Sequence, residues 1–253
     1  MIRVAAVGDI HVGEDAAGSL RPHFETLPDE ADVLLLAGDL TRRGDPAEAR
    51  VLAEELDGVG VPVFAVLGNH DHHLDQPDIV AKELESVGVR VLEGNGAVVD
   101  VGGTRVGVAG TKGFGGGFAG ACGTEFGEPE MKAFIGHTRM LADRLRIALK
   151  SLHADIKIAL LHFSPVEDTL VGERLEIYPF LGSGLLAEAI DAAGADLAVH
   201  GHAHAGSEKG LTPGGVHVRN VAQPLLGRAF SVYCFAGGEE VACEPVTAAG
   251  ERG

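Results

Sequence analysis

Short, mostly apolar runs alternate with amphipathic stretches along the chain, and this alternation restricts the fold more than any other feature. Five runs stand out: Ile2–Val7, Val33–Ala37, Val63–Leu67, Ile156–Leu161 and Leu197–Val199. Runs of this length without polar alternation are typical of strands that are covered on both faces, as in parallel sheets. The sequence therefore predicts an α/β fold with buried strands.

The stretches between these runs carry the spacing and the end signals of helices. Asp45 is a capping residue, and Pro46 fits the first turn of the helix that follows it. Helices are also predicted over 19–27, 77–87, 128–152 and 184–193.

Short strands between glycine-rich turns interrupt the pattern. Val89–Leu92, Ala97–Val101 and Arg105–Ala109 are separated by Gly-Asn-Gly and Gly-Gly, which predicts hairpins, and more short strands follow Ser207. Two α/β halves, each followed by antiparallel strands, predict two sheets packed face to face with helices outside. Because no segment has the composition of a linker, we expect a single domain over residues 1–253.

A polar motif follows each apolar run where the strand is expected to end. The carboxyl ends of strands form the ligand crevice of open α/β sheets, so five segments deliver Asp, Asn and His side chains to one rim. Side chains two positions apart point to the same side of an extended chain, which lets each pair within a motif converge. The motifs are Gly8-Asp9-Ile10-His11, Gly38-Asp39, Gly68-Asn69-His70-Asp71, His162 and Gly201-His202-Ala203-His204.

Seven of these side chains are candidate metal ligands: Asp9, His11, Asp39, Asn69, His162, His202 and His204. Mixed carboxylate, amide and imidazole donors suit Mn, Fe, Zn or Co better than Mg or Ca. No cysteine belongs to the set, which excludes a thiolate zinc site. The donors are too many for one tetrahedral ion and fit two ions that share a carboxylate. Two ions about 3.5–4 Å apart clamp a phosphoryl group and hold a bridging hydroxide for in-line attack.

The order of these motifs resembles that of the calcineurin-like binuclear metallophosphoesterases, from Asp9 to His204. The resemblance implies a four-layer αββα sandwich with two mixed β-sheets, and two metal ions per chain. It implies that His70 stabilises or protonates the leaving oxygen, which suits a group that titrates near neutral pH, while Asn69 meets a nonbridging oxygen. By the same resemblance one ion is held by Asp9, His11, Asp39 and His204, and the second by Asp39, Asn69, His162 and His202.

The second motif departs from the family pattern. Many members read Gly-Asp-x-x-Asp-Arg-Gly, whereas this chain reads Gly-Asp-Leu-Thr-Arg-Arg-Gly from Gly38. Arg42 stands at the aspartate position, so an acidic partner for His70 must come from elsewhere or be absent. Arg43 matches the family arginine and is a candidate contact for substrate phosphate. A solvated arginine in a turn is the alternative.

Two long loops flank the predicted rim. Gly113–Gly127 lacks the Gly-Lys-Ser/Thr ending of a phosphate loop, so we interpret it as a mobile loop beside the site or as a linker. The connection 163–183 leaves directly from His162 and is long enough to be a lid or binding loop. We expect it to shape substrate choice, with Tyr178 as a candidate substrate contact. The alternative is a surface excursion that packs its own aromatic side chains.

The charge of the chain restricts its partners. Aspartate and glutamate number 37 against 20 lysines and arginines, a formal net charge of −17. This excess argues against nucleic acids and anionic membranes, which need a basic surface. Two bound dications would add about four positive charges at one rim, so a small anionic phosphoester is compatible with the chain.

Compartment is inferred from the cysteines and from the N-terminus. Three cysteines, at 122, 234 and 243, contain no CxxC pair, so we expect reduced thiols. The N-terminus lacks the apolar region of a signal peptide, and no apolar run approaches the ~20 residues of a membrane helix. A cytoplasmic protein is therefore expected. The pattern does not indicate an oligomeric state.

The predicted function is a metal-dependent phosphoesterase that acts on a small phosphodiester. The candidate substrates are cyclic nucleotides, other small diesters and nucleotide pyrophosphates. Small size, no accessory domain and no additional basic cluster favour a diester over a doubly charged monoester. A phosphomonoesterase and a nuclease on the same centre are the alternatives, and the charge disfavours the nuclease. A non-catalytic metal-binding scaffold is disfavoured because all seven ligand types and His70 are present.

Overall fold

The computed structural model describes residues 1–243. Two large sheets are built from strands that are numbered in chain order. The strands are β1 (Ile2–Val7), β2 (Val33–Ala37), β3 (Val63–Val66), β4 (Arg90–Val91), β5 (Asn95–Val101), β6 (Thr104–Thr111), β7 (Gly117–Phe118), β8 (Ala121–Cys122), β9 (Ile156–Leu161), β10 (Leu197–His200), β11 (Lys209–Leu211), β12 (His217–Asn220), β13 (Ser231–Ala236) and β14 (Glu239–Val241).

Both large sheets are mixed. The first has the order β14-β13-β1-β2-β3-β4, in which β1 to β4 are parallel and β13 runs antiparallel to β1. The second has the order β11-β12-β10-β9-β6-β5, with a parallel centre and an antiparallel strand at each edge. Strands β7 and β8 form a small separate hairpin.

The strands are buried on both faces because successive side chains enter different layers. In β1, Val4 and Ala6 pack between the two sheets, whereas Ala5 and Val7 face the outer helices. From the second sheet, Ile158 joins the layer between the sheets. This accounts for the apolar runs in the sequence.

Helices cover the outer faces of both sheets. Leu52 and Leu84 pack on the first sheet, and Leu145 and Ile190 pack on the second. The predicted four-layer αββα sandwich is therefore confirmed. No helix in the described part of the chain combines the length and the hydropathy of a membrane crossing. The helices are α1 (Arg21–Phe24), α2 (Leu27–Glu30), α3 (Pro46–Leu56), α4 (Pro77–Glu85), α5 (Pro129–Ser151), α6 (Tyr178–Leu181), α7 (Gly184–Ala193) and α8 (Gln223–Leu226).

The hairpin predicted around Gly94-Asn95-Gly96 is wrong. Strand β4 pairs in parallel with β3 in the first sheet, and β5 begins the second sheet, so the chain crosses between sheets here. The Gly94 N–H donates to the Gly110 carbonyl at 2.7 Å, which fastens the crossing to β6. The Gly102-Gly103 turn does join β5 and β6 as an antiparallel hairpin.

The prediction of three reduced thiols is also wrong. Cys234 and Cys243 form a disulfide, with Cα atoms 5.2 Å apart, and Cys122 is free and exposed. Strands β13 and β14 form a hairpin that brings the two cysteines together. The two cysteines are nine residues apart and are joined across the hairpin, so the disulfide could not be predicted from a CxxC spacing.

Candidate metal centre

The predicted ligands come together at one rim. Asp9 follows β1, Asp39 follows β2, Asn69 lies just beyond β3, His162 follows β9 and His202 lies just beyond β10. In each of three groups the candidate ligand atoms lie within 4.8 Å of one another. The groups are Asp9, His11 and His204; His11, Asp39 and His70; and Asp39, His162 and His202.

Asp39 occupies the middle of this arrangement. Its carboxylate belongs to two of the three groups and is almost completely buried. Its Oδ1 accepts the His70 backbone N–H at 2.8 Å and lies 3.3 Å from His162 Nε2. Its Oδ2 lies 3.9 Å from His70 Nε2. One carboxylate therefore faces histidines from both sheets.

The surroundings of His162 fit a cation. Burial lowers the pKa of His162 well below its usual value, so the ring is neutral. Its Nδ1–H donates to the Ala37 carbonyl at 2.9 Å, which leaves a lone pair on Nε2. That lone pair faces oxygens of Asn69, at 3.0 Å, and Asp39, at 3.3 Å. Three electron-pair donors that converge in this way form a site for a positive ion.

The group around Asp9 also fits a cation. Burial raises the pKa of Asp9 to about 6, and the charge of nearby Asp39 contributes in the same direction. The carboxylate accepts the His202 backbone N–H and lies 2.9 Å from His204 Nε2. Within residues 1–243, no lysine or arginine forms an ion pair with Asp9 or Asp39. Two adjacent buried carboxylates with histidines, and neither lysine nor arginine, beside them are suited to a bound cation.

Backbone strain is concentrated at the same positions. A positive φ is uncommon outside glycine, and at functional sites such strain is maintained by the surrounding structure. In residues 1–243 the non-glycine residues with positive φ are Asp9 (55°), His11 (44°), Asp39 (50°), Asp75 (56°) and His202 (70°). Four of these five are candidate ligands, so the turns after the strands are shaped by the site.

Two glycines make room for the carboxylates. A Cβ on Gly68 would collide with the Asp39 carboxylate, and a Cβ on Gly201 would collide with that of Asp9. The two carboxylates therefore lie directly against main chain. This close approach explains glycine at the start of both motifs.

Asp71 holds two of the turns together, a role that the sequence reasoning missed although the residue belongs to a quoted motif. Its carboxylate is fully buried and accepts from the Gly68 and Leu40 N–H groups and from both the N–H and the hydroxyl of Thr41. Burial raises its pKa to about 6. The turns after β2 and β3 are thereby joined behind Asp39.

His70 has a main-chain partner in place of an acidic one. Its Nδ1–H donates to the Arg42 carbonyl at 2.9 Å. Arg42, which stands at the aspartate position of the family pattern, therefore contacts His70 through its main chain. The Arg42 guanidinium points away and pairs with Asp15 at 2.9 Å. His70 is thus oriented with Nε2 toward Asp39, and its side chain is 45% exposed and accessible to a substrate.

The connection 163–183 meets the centre through Phe180. His202 Nε2–H donates to the Phe180 carbonyl at 3.3 Å, which leaves Nδ1 of His202 available as a ligand atom. The Tyr178 hydroxyl donates to the Leu170 carbonyl at 2.9 Å, and its ring packs against the cluster that contains Leu170 and Phe118. Tyr178 therefore anchors the connection, and its contacts give no support to a role in substrate binding.

Arg43 is exposed at the edge of the centre. Its backbone N–H donates to Glu48 Oε2 at 2.8 Å, which fixes the turn. Among the residues described, no carboxylate pairs with its guanidinium. Its proposed contact with substrate phosphate remains a prediction.

A cavity of about 740 Å³ lies to one side, below the β7–β8 hairpin and between α5 and α7. Its walls are mainly apolar and include Phe118, Ile135, Val166 and Leu185. None of the candidate ligands, all of which lie in the described part of the chain, lines it. Gly113–Gly127, expected beside the site, contributes both to this cavity and to the packing around Phe180.

The sequence model of the calcineurin-like phosphoesterases matches residues 2–206. The chain belongs to the calcineurin-like phosphoesterase family. A probable cyclic nucleotide phosphodiesterase from Synechococcus sp. is 32% identical to this calcineurin-like phosphoesterase over 80 residues, which are 28% of the chain and 31% of the relative. The chain thus covers about a third of that relative's length.

Solved structures share the fold of this calcineurin-like phosphoesterase at low identity. Phosphopantetheinyl hydrolase from Mycobacterium tuberculosis has a TM-score of 0.64 at 17% identity, over 98% of each chain. A hypothetical protein from Thermus thermophilus has a TM-score of 0.56 at 18% identity, over 95% of this chain and 96% of that one. A putative 5′-nucleotidase from Staphylococcus aureus also has a TM-score of 0.56, at 17% identity, over 96% of this chain and 52% of its own.

Proposed function

We propose that this calcineurin-like phosphoesterase hydrolyses a small phosphodiester at a centre for two metal ions, Mn, Fe, Zn or Co. The observation that carries the proposal is that the Asp39 carboxylate belongs to two donor groups, one with His11 and His70 and one with His162 and His202. Two ions, when bound, neutralise the phosphoryl oxygens and lower the pKa of water. Asp9, His11, Asp39 and His204 would hold one ion, and Asp39, Asn69, His162 and His202 the other.

His70 is the proposed group for the leaving oxygen. Its Nδ1–H is committed to the Arg42 carbonyl, so any proton that it gives or takes moves through Nε2. The ring stands 4.6 Å from that of His11, measured between centroids, and therefore lies at the edge of the donor groups. From this position Nε2 can donate to the ester oxygen as its bond to phosphorus breaks.

Asn69 is the proposed contact for a nonbridging oxygen. Its Oδ1 faces His162 Nε2 at 3.0 Å, which leaves the two amide N–H bonds free to donate. The residue is exposed, so these N–H groups are accessible to a bound phosphoryl group. Donors that are already in place when negative charge develops lower the barrier without reorganisation.

A diester is favoured by the small number of cations around the centre. The Arg42 guanidinium is paired with Asp15, and Arg43 and Lys112 are the other basic side chains of the flanking turns. A diester carries one negative charge per phosphoryl group, whereas a monoester carries nearly two at neutral pH. The 80-residue similarity to a protein described as a probable cyclic nucleotide phosphodiesterase supports the same choice.

Metal analysis and a substrate panel test the proposal. Purified protein should bind close to two ions per chain after Mn addition, and should hydrolyse bis-p-nitrophenyl phosphate faster than p-nitrophenyl phosphate. Asp39→Ala should lose metal and activity together, whereas Asp143→Ala, an exposed change on α5, should retain both.

Each component of the proposal has its own contrary outcome. One ion or none would contradict the binuclear centre, and a preference for the monoester would contradict the diester assignment. Two bound ions without hydrolysis of any phosphoester would favour a metal-binding scaffold.

A further inference from the structure

Four phenylalanines form a row that leads from the candidate metal centre to the surface. We call Phe163, Phe114, Phe134 and Phe180 the aromatic row. The ring of Phe163 lies 4.3 Å from that of His202, and Phe114 lies 5.6 Å from Phe163. Phe134 follows at 5.0 Å and Phe180 at 6.4 Å, all between ring centroids. The row is therefore continuous with a proposed metal ligand.

Exposure increases along the aromatic row. Phe163 is 5% exposed, Phe114 and Phe134 are half-buried, and Phe180 is 61% exposed. A large apolar ring in water, on a residue whose carbonyl contacts a candidate ligand, leaves apolar surface that a bound molecule can cover. The exposed end of the row thus has the character of a binding surface.

The exposed end is held in place by its main chain. The Phe180 carbonyl accepts from His202, and the Pro179 carbonyl accepts the Gly116 N–H at 2.6 Å. A Cβ on Gly115 would collide with the Pro179 carbonyl, so the glycine-rich loop, residues 113–127, packs tightly against this segment. A ring on a fixed backbone loses little conformational freedom when a planar group stacks on it.

Lys112 lies at the inner end of the row. It follows β6 directly, and its carbonyl accepts the N–H groups of His162 and Phe163. Its Nζ lies 4.8 Å from the ring centroid of Phe114 and 5.2 Å from that of Phe163. Nζ also donates to the Gly113 carbonyl at 3.4 Å. The ammonium therefore lies over the two inner rings, and the Lys112 main chain contacts a proposed metal ligand.

The ammonium of Lys112 has no carboxylate partner among residues 1–243. Glu93, the nearest acidic side chain of that turn, accepts from the Thr111 hydroxyl and from the Lys112 backbone N–H. A half-buried cation without a paired anion is suited to an anionic ligand.

We propose that Lys112 and the aromatic row form a subsite for a phosphodiester that carries a planar heteroaromatic group, such as a nucleobase. The ammonium binds a phosphoryl oxygen. The planar group stacks on the exposed ring of Phe180 and meets Phe134, which stands at 79° to that ring. This inference rests on the proposed function and specifies its substrate class. Stacking of a base on an aromatic side chain changes affinity by about 5- to 150-fold.

Two diesters with the same leaving group test the subsite. They are the p-nitrophenyl ester of thymidine 5′-phosphate and methyl p-nitrophenyl phosphate, both followed by release of p-nitrophenolate. Wild-type protein should show a kcat/KM at least about 10-fold higher for the nucleoside ester. Phe180→Ala should remove most of this preference through KM, with a smaller change on the methyl ester. Leu175→Ala, at a 74% exposed position in the same connection, is the matched control and should retain the preference.

Lys112 is tested separately because it would act on both esters. Lys112→Gln should lower kcat/KM about 10-fold for each, and Lys112→Arg should recover part of the loss. Thermal unfolding of each variant checks that the fold is kept. Equal activity of Lys112→Gln and wild type would remove Lys112 from the subsite.

A binding measurement separates failure of the subsite from failure of the proposed function. Titration calorimetry with thymidine 5′-monophosphate, on metal-free and Mn-loaded protein, should give a Kd about 10-fold weaker for Phe180→Ala than for wild type. This result would support the subsite even if neither ester were hydrolysed. No binding by wild type, an equal Kd for both proteins, or an equal loss of activity on both esters would overturn it.

Discussion

The candidate metal centre and the aromatic row meet at His202, yet they are built in different ways. The donors of the centre lie on tight turns directly after strands, and four of them have a positive φ. The rings of the row come from the glycine-rich loop, from α5 and from the connection 163–183. The candidate metal ligands therefore lie at the ends of sheet strands, whereas the proposed stacking surface lies on the segments between the strands.

This difference has a physical reason. A metal centre requires donor positions that are accurate to a fraction of an ångström, and short turns on a packed sheet provide them. A stacking surface tolerates larger displacements, so longer segments can carry it. Variants of the centre should consequently change turnover or metal affinity, whereas variants of the row should change selectivity.

Among variants that keep the metal ions, the largest effect on turnover is expected from His70→Asn. The asparagine amide can still donate to the Arg42 carbonyl but cannot transfer a proton, so kcat should fall about 100-fold. Metal content should stay at the wild-type value, because His70 is not among the proposed ligands. His73→Asn, an exposed neighbour, is the control and should retain wild-type kcat. Loss of metal in His70→Asn would place the ring among the ligands instead.

The next largest effect is expected from Asp71→Asn, and it falls on metal affinity. Its carboxylate accepts from four donors, and an amide leaves the two donors that faced its second oxygen unsatisfied. The free energy of unfolding should fall by about 3 kcal/mol. Because the turn that carries Asp39 loosens, affinity for Mn should fall about 10- to 100-fold. Calorimetric titration with Mn measures this, with exposed Asp75→Asn as control; an unchanged affinity would limit Asp71 to folding.

The fold and the donor set were predictable because each depends on short-range pattern. Apolar runs such as Val33–Ala37 mark strands with two covered faces, and all five motifs follow strands whose carboxyl ends meet at one rim. The position of each motif directly after a strand was therefore sufficient to predict that Asp9, Asp39 and His162 lie at one rim.

Other features were not predictable because they depend on contacts between distant segments. The group that orients His70 is a main-chain carbonyl, and every residue has one, so the sequence does not indicate which carbonyl it is. Phe114, Phe134 and Phe180 belong to three segments, and their rings meet where the loop 113–127 packs against Pro179. The segment around Gly94 has the residues of a hairpin turn, but it joins strands of different sheets, because β4 pairs with β3 and β5 pairs with β6.

A moderate effect, on stability, is expected where the connection 163–183 is fastened. Thr169 donates its hydroxyl to Nε2 of His200 at 2.8 Å, and the His200 Nδ1–H donates to the Gly201 carbonyl at 2.7 Å. Burial lowers the pKa of His200 to about 3, so the ring is neutral and needs this donor. Thr169→Val should lower the free energy of unfolding by about 1–3 kcal/mol.

Thr169→Val also separates anchoring from chemistry. Denaturant unfolding measures its stability, with exposed Thr124→Val as control, and kcat on bis-p-nitrophenyl phosphate should stay within about 2-fold. A large loss of kcat at full metal content would show that the connection positions the donors as well as the aromatic row.

The smallest effect is expected from Arg42→Ala, although Arg42 stands where the family pattern quoted above has an aspartate. Only its carbonyl meets His70, and alanine keeps that carbonyl. Its guanidinium is 49% exposed and pairs with Asp15, a surface ion pair that contributes at most about 1 kcal/mol. We therefore expect kcat and KM on bis-p-nitrophenyl phosphate within about 2-fold of wild type. Arg43→Ala is the informative neighbour, because loss of a phosphate contact there should raise KM about 3- to 10-fold. A large loss of kcat in Arg42→Ala alone would mean that the guanidinium, and not the carbonyl, controls His70.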